Sequence, residues 1–372
     1  MSAWEDFSGS YRPGEVSFLL RRLAQAGFVD VAEKEALIQS GRRHYSQMLS
    51  PESAPSERYM RLFDAACRAN NARMARDCLC LAGLIAAQSR HKAPSRLAIV
   101  SLARAGTPVG VVVTRLLREL FGRDAVHYSV SIVRDRGIDA AALRHILAQG
   151  HHARDIVFLD GWTGKGVIAR ELAGSIGVFN KRHGTDIDAG LHVLSDLAGA
   201  ATCAASCDDY LIPSSILNAT VSGLVSRTVM DDGMGADDFH GCVYYEQFAA
   251  LDRSQSFADE LAGLALSLAR ARPAPLRAEP IDATAARARS QAYIGAAMRR
   301  YGVADVNLVK PGIGEATRVL LRRVPRLVVL RERDAPEVAH LAALAEEKRV
   351  PVDIDPHLPY HAVSLIRSAS DG

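Results

Sequence analysis

Three short β-type runs alternate with helical segments in the first half of the chain. The runs are RLAIVSL at 96–102, VHYSVSIV at 126–133 and DIVFLD at 155–160, and the segments TPVGVVVTRLLRELFG and AAALRHILAQG separate them. Strands that alternate with helices form βαβ units, which build a mostly parallel sheet covered by helices. The sequence therefore predicts an α/β fold around a parallel sheet.

The remaining segments extend this α/β region on both sides. Apolar residues at helical spacing, for example in SFLLRRLAQAGF, predict a helical N-terminal region over residues 1–90. The α/β domain is then expected over residues 91–268, and a stretch rich in Pro, Ala and Arg over 269–291 is expected to be a linker. Alternating strand-like and helical runs predict a second, smaller α/β domain over residues 292–372.

Composition and charge restrict the class of protein and the place where it works. Hydrophobic residues make up 48% and charged residues 23% of the chain, as in ordinary globular proteins. The N-terminus carries acids where a signal peptide needs a basic and then an apolar run, so we expect a cytoplasmic location. Six scattered cysteines without a CxxC pair are expected to be free thiols. From residue 285 onward the chain has 14 Lys and Arg against 10 Asp and Glu, which favours an anionic partner there.

A glycine-bearing loop lies within IVFLDGWTGKGVIARELAGSI, residues 156–176, between a strand that ends in an acid and a helix. A Walker A loop is excluded because Lys165 is followed by Gly166 rather than by Ser or Thr, and the dinucleotide motif GxGxxG is absent. Backbone N–H groups of a glycine loop at a helix N-terminus bind anions, although a plain β–α turn is the alternative. A second strand–turn–helix, IVSLARAGTPVG at 99–110, favours two neighbouring anion loops.

These two loops resemble those of type I phosphoribosyltransferases. SLARAGTPVG is similar to their pyrophosphate loop, and IVFLDGWTGKG is similar to their phosphoribosyl-diphosphate loop. Longer segments over the first 265 residues resemble the phosphoribosyltransferase-like proteins of bacterial tellurite-resistance stress operons; they are FSGSYRPGEVSFLL, GRRHYSQMLS, HYSVSIVRDRGID and IPSSILNATVSGLVSRTV. The resemblance implies a type I phosphoribosyltransferase-like parallel sheet. The sequence departs from the family pattern at Gly161, where a second acid is usual.

The resemblance implies an enzyme that uses phosphoribosyl diphosphate and Mg²⁺ to make a ribosylated, nucleoside-like product from an unknown acceptor. Magnesium would bridge diphosphate and ribose oxygens, with no direct protein ligand unless Asp160 supplies one. The implied catalytic residues are Asp160, Arg104 and Lys165, with Asp160 on the ribose hydroxyls and Arg104 on the diphosphate. The remaining phosphate contacts would come from Thr163, Gly164, Gly166, Ala105 and Gly106, and the substrate candidates are Arg134, Asp135, Arg136, Ser215 and Asn218.

The C-terminal segment VNLVKPGIGEATRVLLRRVPRLVVL resembles the L7Ae/pelota RNA-binding fold. A glycine-containing turn precedes a helix on which Arg318 and Arg322 lie one turn apart. Such a helix N-terminus favours phosphate, and clustered arginines give salt-sensitive binding to nucleic acid. A solvated basic helix face is the alternative. The RNA-binding residues that we expect are Gly312, Gly314, Glu315, Thr317, Arg318 and Arg322.

Two other functions compete with the transferase. Some members of the tellurite-resistance family carry the name cysteine protease StiP, and His240-Gly241-Cys242 is the local sequence that suits it best, with Cys203 and Cys207 upstream. A nucleophilic cysteine needs a base within hydrogen-bonding reach, and a buried, inert cysteine is the alternative. The third function is a non-catalytic regulator that binds a phosphoribosyl ligand and RNA.

Overall fold

The fold is that of a computed structural model, which describes residues 6–23, 28–29, 37, 42–88, 96–230, 233–271, 281–322 and 325–366. The helices are α1 (Glu57–Gln88), α2 (Thr107–Phe121), α3 (Ala140–Ala148), α4 (Val167–His183), α5 (Ser254–Ala271), α6 (Ala283–Arg300), α7 (Ile313–Arg322) and α8 (Ala339–Glu347). The strands are β1 (Ser17–Leu19), β2 (Arg21–Arg22), β3 (Leu97–Ala103), β4 (Ala125–Val133), β5 (Gly137–Ile138), β6 (Ile156–Thr163), β7 (Leu191–Asp196), β8 (Cys203–Ser206), β9 (Gly241–Cys242), β10 (Val309–Pro311), β11 (Leu327–Leu330), β12 (Val352–Ile354) and β13 (Ala362–Leu365). None of the described helices is both long and apolar enough to cross a membrane.

The larger sheet has six parallel strands in the order β1-β4-β3-β6-β7-β8, and the short β5 pairs antiparallel with β4. Helices α1, α2 and α5 pack on one face and α3 and α4 on the other. The first six residues of the central strand β3 are therefore all buried, as expected for a parallel strand covered on both sides. The predicted mixed α/β fold with a mostly parallel central sheet is confirmed.

The N-terminal region is less helical than predicted. SFLLRR forms β1 and β2, and β1 extends the edge of the sheet by pairing parallel with β4. Phe18 and Leu19 are both fully buried, and they belong to the cores on opposite faces of the sheet. A short apolar run buried on both faces has no strand-like alternation, so its sequence does not distinguish it from a helix. Residues 1–5, 24–27, 30–36, 38–41 and 89–90 of the predicted helical region lie outside the described residues, as do residues 91–95 that follow it.

A second sheet in the order β10-β13-β11-β12 forms the C-terminal α/β unit. Val328 and Leu330 of β11 face the core that contains α7 and α8, whereas Val329 faces the core beside α6. This alternation matches a sheet with helices on both sides. The proposed linker overlaps α5 at its start and α6 at its end, and its residues 272–280 lie outside the described part of the chain.

Candidate active site and interdomain site

The glycine loop after β6 is a tight turn at the carboxyl edge of the larger sheet. The N–H of Gly166 donates to Thr163 Oγ1 at 3.0 Å, and Gly166 adopts a φ of +69°. A Cβ atom at Gly166 would lie 2.5 Å from the Cβ of Ala200. At Gly164 an added Cβ would lie 3.2 Å from the carbonyl oxygen of Pro311, in the C-terminal unit. Gly166 thus lets the loop pack against Ala200 of the same domain, and Gly164 lets it approach the backbone of the C-terminal unit.

Lys165 binds the C-terminal unit. Its Nζ donates to the carbonyl oxygens of Val306 and Val309 at 2.7 and 2.8 Å. Burial, together with the neighbouring Lys310, lowers the pKa of Lys165 to about 7. Two donors of the ammonium group are therefore used for contact between the sheets.

The turn after β3 is held by contacts within the first domain. Arg104 forms an ion pair with Glu52 at 2.5 Å and donates to the carbonyl oxygen of Val225 at 2.7 Å. A Cβ at Gly106 would lie 2.8 Å from the carbonyl oxygen of Leu159, so this glycine lets the turn pack against β6. Arg104 is consequently a neutralised, nearly buried cation.

Asp160 lies on the wall of a cavity of about 180 Å³ between the two loops and α7, and Ala105 lies on the same wall. Its carboxylate accepts the N–H of Gly161 at 2.8 Å, and burial raises its pKa to about 7. Arg318 lines the cavity from the C-terminal side, and its guanidinium lies over the Trp162 ring, 5.4 Å from the ring centre.

The predicted substrate candidates fall into two separate places. Arg134, Asp135 and Arg136 form the turn between β4 and β5, and Asp135 has a φ of +64°. Ser215 is buried, and its hydroxyl has no hydrogen-bond partner within the described residues. Asn218 accepts the Ser222 hydroxyl through its carbonyl oxygen at 2.7 Å.

The polar face that the helical spacing of IPSSILNATVSGLVSRTV predicts does not form. This segment contains two short 3₁₀ turns, Pro213–Ser215 and Ala219–Val221, rather than one helix. Gly223, with a φ of +82°, follows the second turn, and a Cβ there would lie 2.8 Å from the ring of Phe18. A continuous helix is therefore incompatible with the packing at this position.

The N-terminus of α7, where we expected RNA phosphate, meets a carboxylate of the first domain. Asp209 accepts the N–H of Ile313 through one oxygen and the N–H of His361 through the other, both at 2.8 Å. Burial raises the pKa of Asp209 to about 6. A carboxylate at a helix N-terminus satisfies free N–H groups and interacts well with the helix dipole. The chain thus supplies its own anion at this place.

The other predicted RNA contacts are distributed around this docking point. A Cβ at Gly312 would lie 2.7 Å from Leu197, and one at Gly314 would lie 3.7 Å from Ser215, so both glycines face the first domain. Glu315 forms an ion pair with Arg318 at 3.5 Å. The buried Thr317 hydroxyl contacts His340 Nε2 at 2.8 Å, and the side chain of Arg322 lies outside the described residues.

All six cysteines are free thiols, and they differ strongly in exposure. Cys207 is exposed, whereas Cys242 is fully buried, and burial raises the pKa of the Cys242 thiol to about 12. Burial also raises the pKa of the Cys203 thiol to about 11. Within the described residues no thiol is hydrogen-bonded to a histidine ring.

His240 and Cys242 nevertheless share one face of the chain at β9. The carbonyl oxygens of His240 and Cys242 accept from the N–H groups of Arg21 and Leu23, at 2.9 and 2.8 Å. Carbonyl groups alternate in direction along an extended chain, so the two side chains lie on the same side, about 6.6 Å apart along the strand. A Cβ at the intervening Gly241 would lie 2.7 Å from Leu23, so the close pairing with β2 requires glycine.

The imidazole of His240 is held in place by two residues of the first domain. Its Nδ1 lies 2.8 Å from the hydroxyl of Ser131, and its main-chain N–H donates to Asp139 at 2.7 Å. Burial lowers the pKa of His240, and the neighbouring Asp139 opposes this shift. The ring is therefore neutral near pH 7 and lies on the wall of a cavity of about 380 Å³.

Sequence reasoning missed most of the residues that hold these sites together. The local sequence around Glu52, Ser131 and Asp209 does not indicate their roles, because their partners are distant in the chain. The sequence did indicate a role for Asp139, because an Asp directly before the Ala-rich helix α3 is a typical N-cap. Its side chain accepts the first N–H groups of that helix at 2.9 and 3.1 Å.

These features define a class of protein, an α/β domain with a small α/β domain docked at the carboxyl edge of its parallel sheet. A family model described as tellurite-like stress resistance cysteine protease StiP matches residues 9–262, and a model of the PELOTA RNA binding domain matches residues 288–368. A protein of Acinetobacter baylyi named cysteine protease StiP is 41% identical over 379 aligned positions, which cover 99% of this chain and 96% of that protein. The chain belongs to the StiP family.

The comparisons correct the predicted activity. The matching family and the full-length relative are both named as cysteine proteases, so the prediction of a phosphoribosyltransferase is wrong, and phosphoribosyl diphosphate as a partner is not supported. The contacts of Arg104 with Glu52 and of Lys165 with the C-terminal unit give a physical reason, since both cations already have partners within the chain. The family resemblance to StiP and the pelota-type domain are confirmed. Magnesium stays a prediction.

Proposed function

We propose that this chain is a cysteine protease of the StiP type, with Cys242 as nucleophile and His240 as general base. The relative of 41% identity over nearly the whole chain, which carries that name, is the observation that carries the proposal. Extended-chain geometry, which puts the side chains of His240 and Cys242 on the same side of the backbone around Gly241, supports this assignment of residues.

The residues around His240 suit the role of a base. Ser131 and Asp139 fix the ring through contacts at Nδ1 and at the main chain, which leaves Nε2 to accept a proton. In the reaction, the Cys242 thiol transfers its proton to the imidazole and its sulfur bonds to the peptide carbonyl carbon. The amine then leaves with the proton from the imidazole, and water hydrolyses the thioester. The cavity beside His240 is the proposed binding place for the peptide.

The buried thiol implies that this conformation is a resting one. A thiol with a pKa of about 12 is protonated at neutral pH and is a weak nucleophile. Cleavage therefore requires a movement that brings the sulfur within hydrogen-bonding reach of the His240 ring and opens it to the cavity. Such a movement lowers the thiol pKa, because it removes the burial that raises it.

A panel of variants of the full-length chain tests the proposal. Cleavage of a mixed peptide library, read by mass spectrometry, should fall by roughly 1000-fold or more in Cys242→Ser and in His240→Gln. Cys207→Ser, the matched change at an exposed thiol, should leave cleavage unchanged. Melting curves check that each variant is folded. Cleavage that persists in folded Cys242→Ser, or is lost in Cys207→Ser, would contradict the assignment.

We also infer that the C-terminal unit binds RNA. The match of residues 288–368 to a domain named for RNA binding supports this inference, as does the excess of basic residues from residue 285 onward. The bound RNA would bring the protease to its targets or control its activity.

A further inference from the structure

A wide groove of about 720 Å³ runs along α4 and reaches the C-terminal unit. One wall is the turn at residues 134–137, the floor is one side of α4, and Val306 and Asn307 of the C-terminal unit stand at one end. The groove differs from the His240 cavity because α4 lines only the groove, although both are lined by Arg136, Ile138 and Ala140.

Four arginines line this groove, and none of them forms an ion pair with an acid within the described residues; they are Arg134, Arg136, Arg170 and Arg182. The Nε of Arg134 is buried and has no hydrogen-bond partner there. The acids on the groove wall are Asp135 and Glu171, and one Glu171 oxygen already accepts the N–H of Asp135 at 2.9 Å. The groove therefore has an excess of positive charge that the described protein does not neutralise.

Two of these arginines, Arg170 and Arg182, lie along α4. Residues 170, 174, 178 and 182 all line the groove at intervals of four residues, so Arg170 and Arg182 are about 18 Å apart along the helix axis and about 120° apart around it. Between them, an added Cβ at Gly174 would meet no atom within 4 Å, and Val178 is 70% exposed. The part of the groove between Arg170 and Arg182 is thus open to a long, narrow ligand.

We propose that this groove binds the phosphate backbone of RNA, so that the first domain and the C-terminal unit engage one RNA together. This rests on the RNA binding inferred above for the C-terminal unit. Asp209 occupies the N-terminus of α7, so RNA phosphate does not have access to that helix end while the two units are docked. The groove offers arginines without an acid partner next to the same unit. Arg170 donates one N–H to the carbonyl oxygen of Lys165 at 3.1 Å, and its other guanidinium N–H groups can bind phosphate oxygens.

RNA fits the groove better than an acidic polypeptide does. Phosphates follow each other at short, regular intervals along a strand, which suits cations repeated along one helix. An acidic polypeptide competes for the same charges, and the experiment includes it as the contrary outcome.

Binding of a fluorescent 20-nucleotide mixed-sequence RNA to the full-length chain tests the groove. The double variant Arg170→Gln/Arg182→Gln should weaken binding roughly tenfold or more and reduce the slope of log affinity against log salt by about two. The matched double variant Arg61→Gln/Arg68→Gln changes exposed arginines on α1, on the opposite face of the sheet, and should bind like the natural chain.

A pair of glycine variants adds a test that removes no natural side chain. Gly174 and Gly177 are both exposed on α4 with open space around them, but only Gly174 lines the groove. Gly174→Glu should lower RNA affinity several-fold, whereas Gly177→Glu should have the smaller effect.

The outcomes separate the groove from the inferred RNA binding as a whole. If the full-length chain binds no RNA at low salt, the inference for the C-terminal unit fails together with the groove. If the chain binds RNA with equal affinity in all these variants, RNA binding stands and the groove is wrong. Polyglutamate that binds with a dependence on Arg170 and Arg182, while RNA does not, also overturns the proposal.

Discussion

At the scale of single residues, two ionisable groups with shifted pKa values, Lys165 and Asp209, connect the two units of this chain. Lys165 and Asp209 lie in different loops of the larger sheet, and both bind backbone groups of the C-terminal unit. Sequence analysis singled out Lys165 as a catalytic residue with a phosphate ligand, whereas the structure shows its ammonium group bound to two carbonyl groups of the C-terminal unit. The pattern around a residue shows that it is special, whereas its partner depends on the packing of distant segments.

Replacement of Asp209 should weaken this connection. Asp209→Asn retains one acceptor but turns an amide donor toward a buried N–H. We expect this change to lower the free energy of unfolding by roughly 1–3 kcal/mol. The matched control is Asp208→Asn at the preceding position. Asp208 is a largely exposed partner of Arg73, so this change should lower the free energy of unfolding by about 1 kcal/mol or less. Denaturant unfolding of both variants measures the difference.

The effect of Asp209 should also depend on pH. Its folded pKa of about 6 lies above the ordinary value of 3.8, so protonated Asp209 is favoured by folding. The contribution to the free energy of unfolding is complete below about pH 4 and is lost as the pH rises through 6. The destabilisation by Asp209→Asn should therefore be larger at pH 4 than at pH 6.5. An equal effect at both pH values would show that Asp209 titrates normally.

At the scale of elements, the spacing of apolar residues and the positions of turn residues identified most of the central strands and helices. The strands β3, β4 and β6 are long and have a strong apolar pattern. The failures have common physical causes. SFLL is buried on both faces of a sheet edge, and IPSSILNATVSGLVSRTV is bent by tertiary contacts at Gly223. Neither cause is a property of the local sequence.

The glycine loop before α4 gives a prediction at this scale. Gly166→Ala should destabilise the fold by at least about 1–2 kcal/mol, because its φ is +69° and the new Cβ would clash with Ala200. Gly177→Ala, on the same helix in open space, should stabilise it by about 0.5–1 kcal/mol. Thermal unfolding distinguishes the two. A neutral Gly166→Ala would mean that the loop is not held against Ala200.

At the scale of the whole molecule, the second unit is seated on the edge of the first by contacts between residues far apart in the chain, such as Asp209 with Ile313 and with His361. This docking could not be predicted from either unit alone. The sequence pattern of a helix or a loop is the same whether or not another unit covers it. The docking explains why Lys165, in one of the two predicted ligand-binding loops, contacts the C-terminal unit.

The same docking links the proposed RNA groove to the proposed protease site. His240 and Cys242 belong to the first domain, and the proposed RNA groove runs along α4 of that domain and reaches the C-terminal unit. RNA in the groove would therefore act on a molecule whose thiol is buried at rest. Peptide cleavage in the presence and absence of RNA belongs in the same assays.

Covalent trapping with a peptidyl acyloxymethyl ketone tests the central claim most directly. This reagent forms a thioether with an active-site cysteine, and peptide mapping by mass spectrometry locates the bond. We expect one adduct, on Cys242, that depends on His240 and does not form in His240→Gln. An adduct that forms instead on Cys207, or equally in folded His240→Gln, would contradict the assignment of Cys242 and His240 as the catalytic pair.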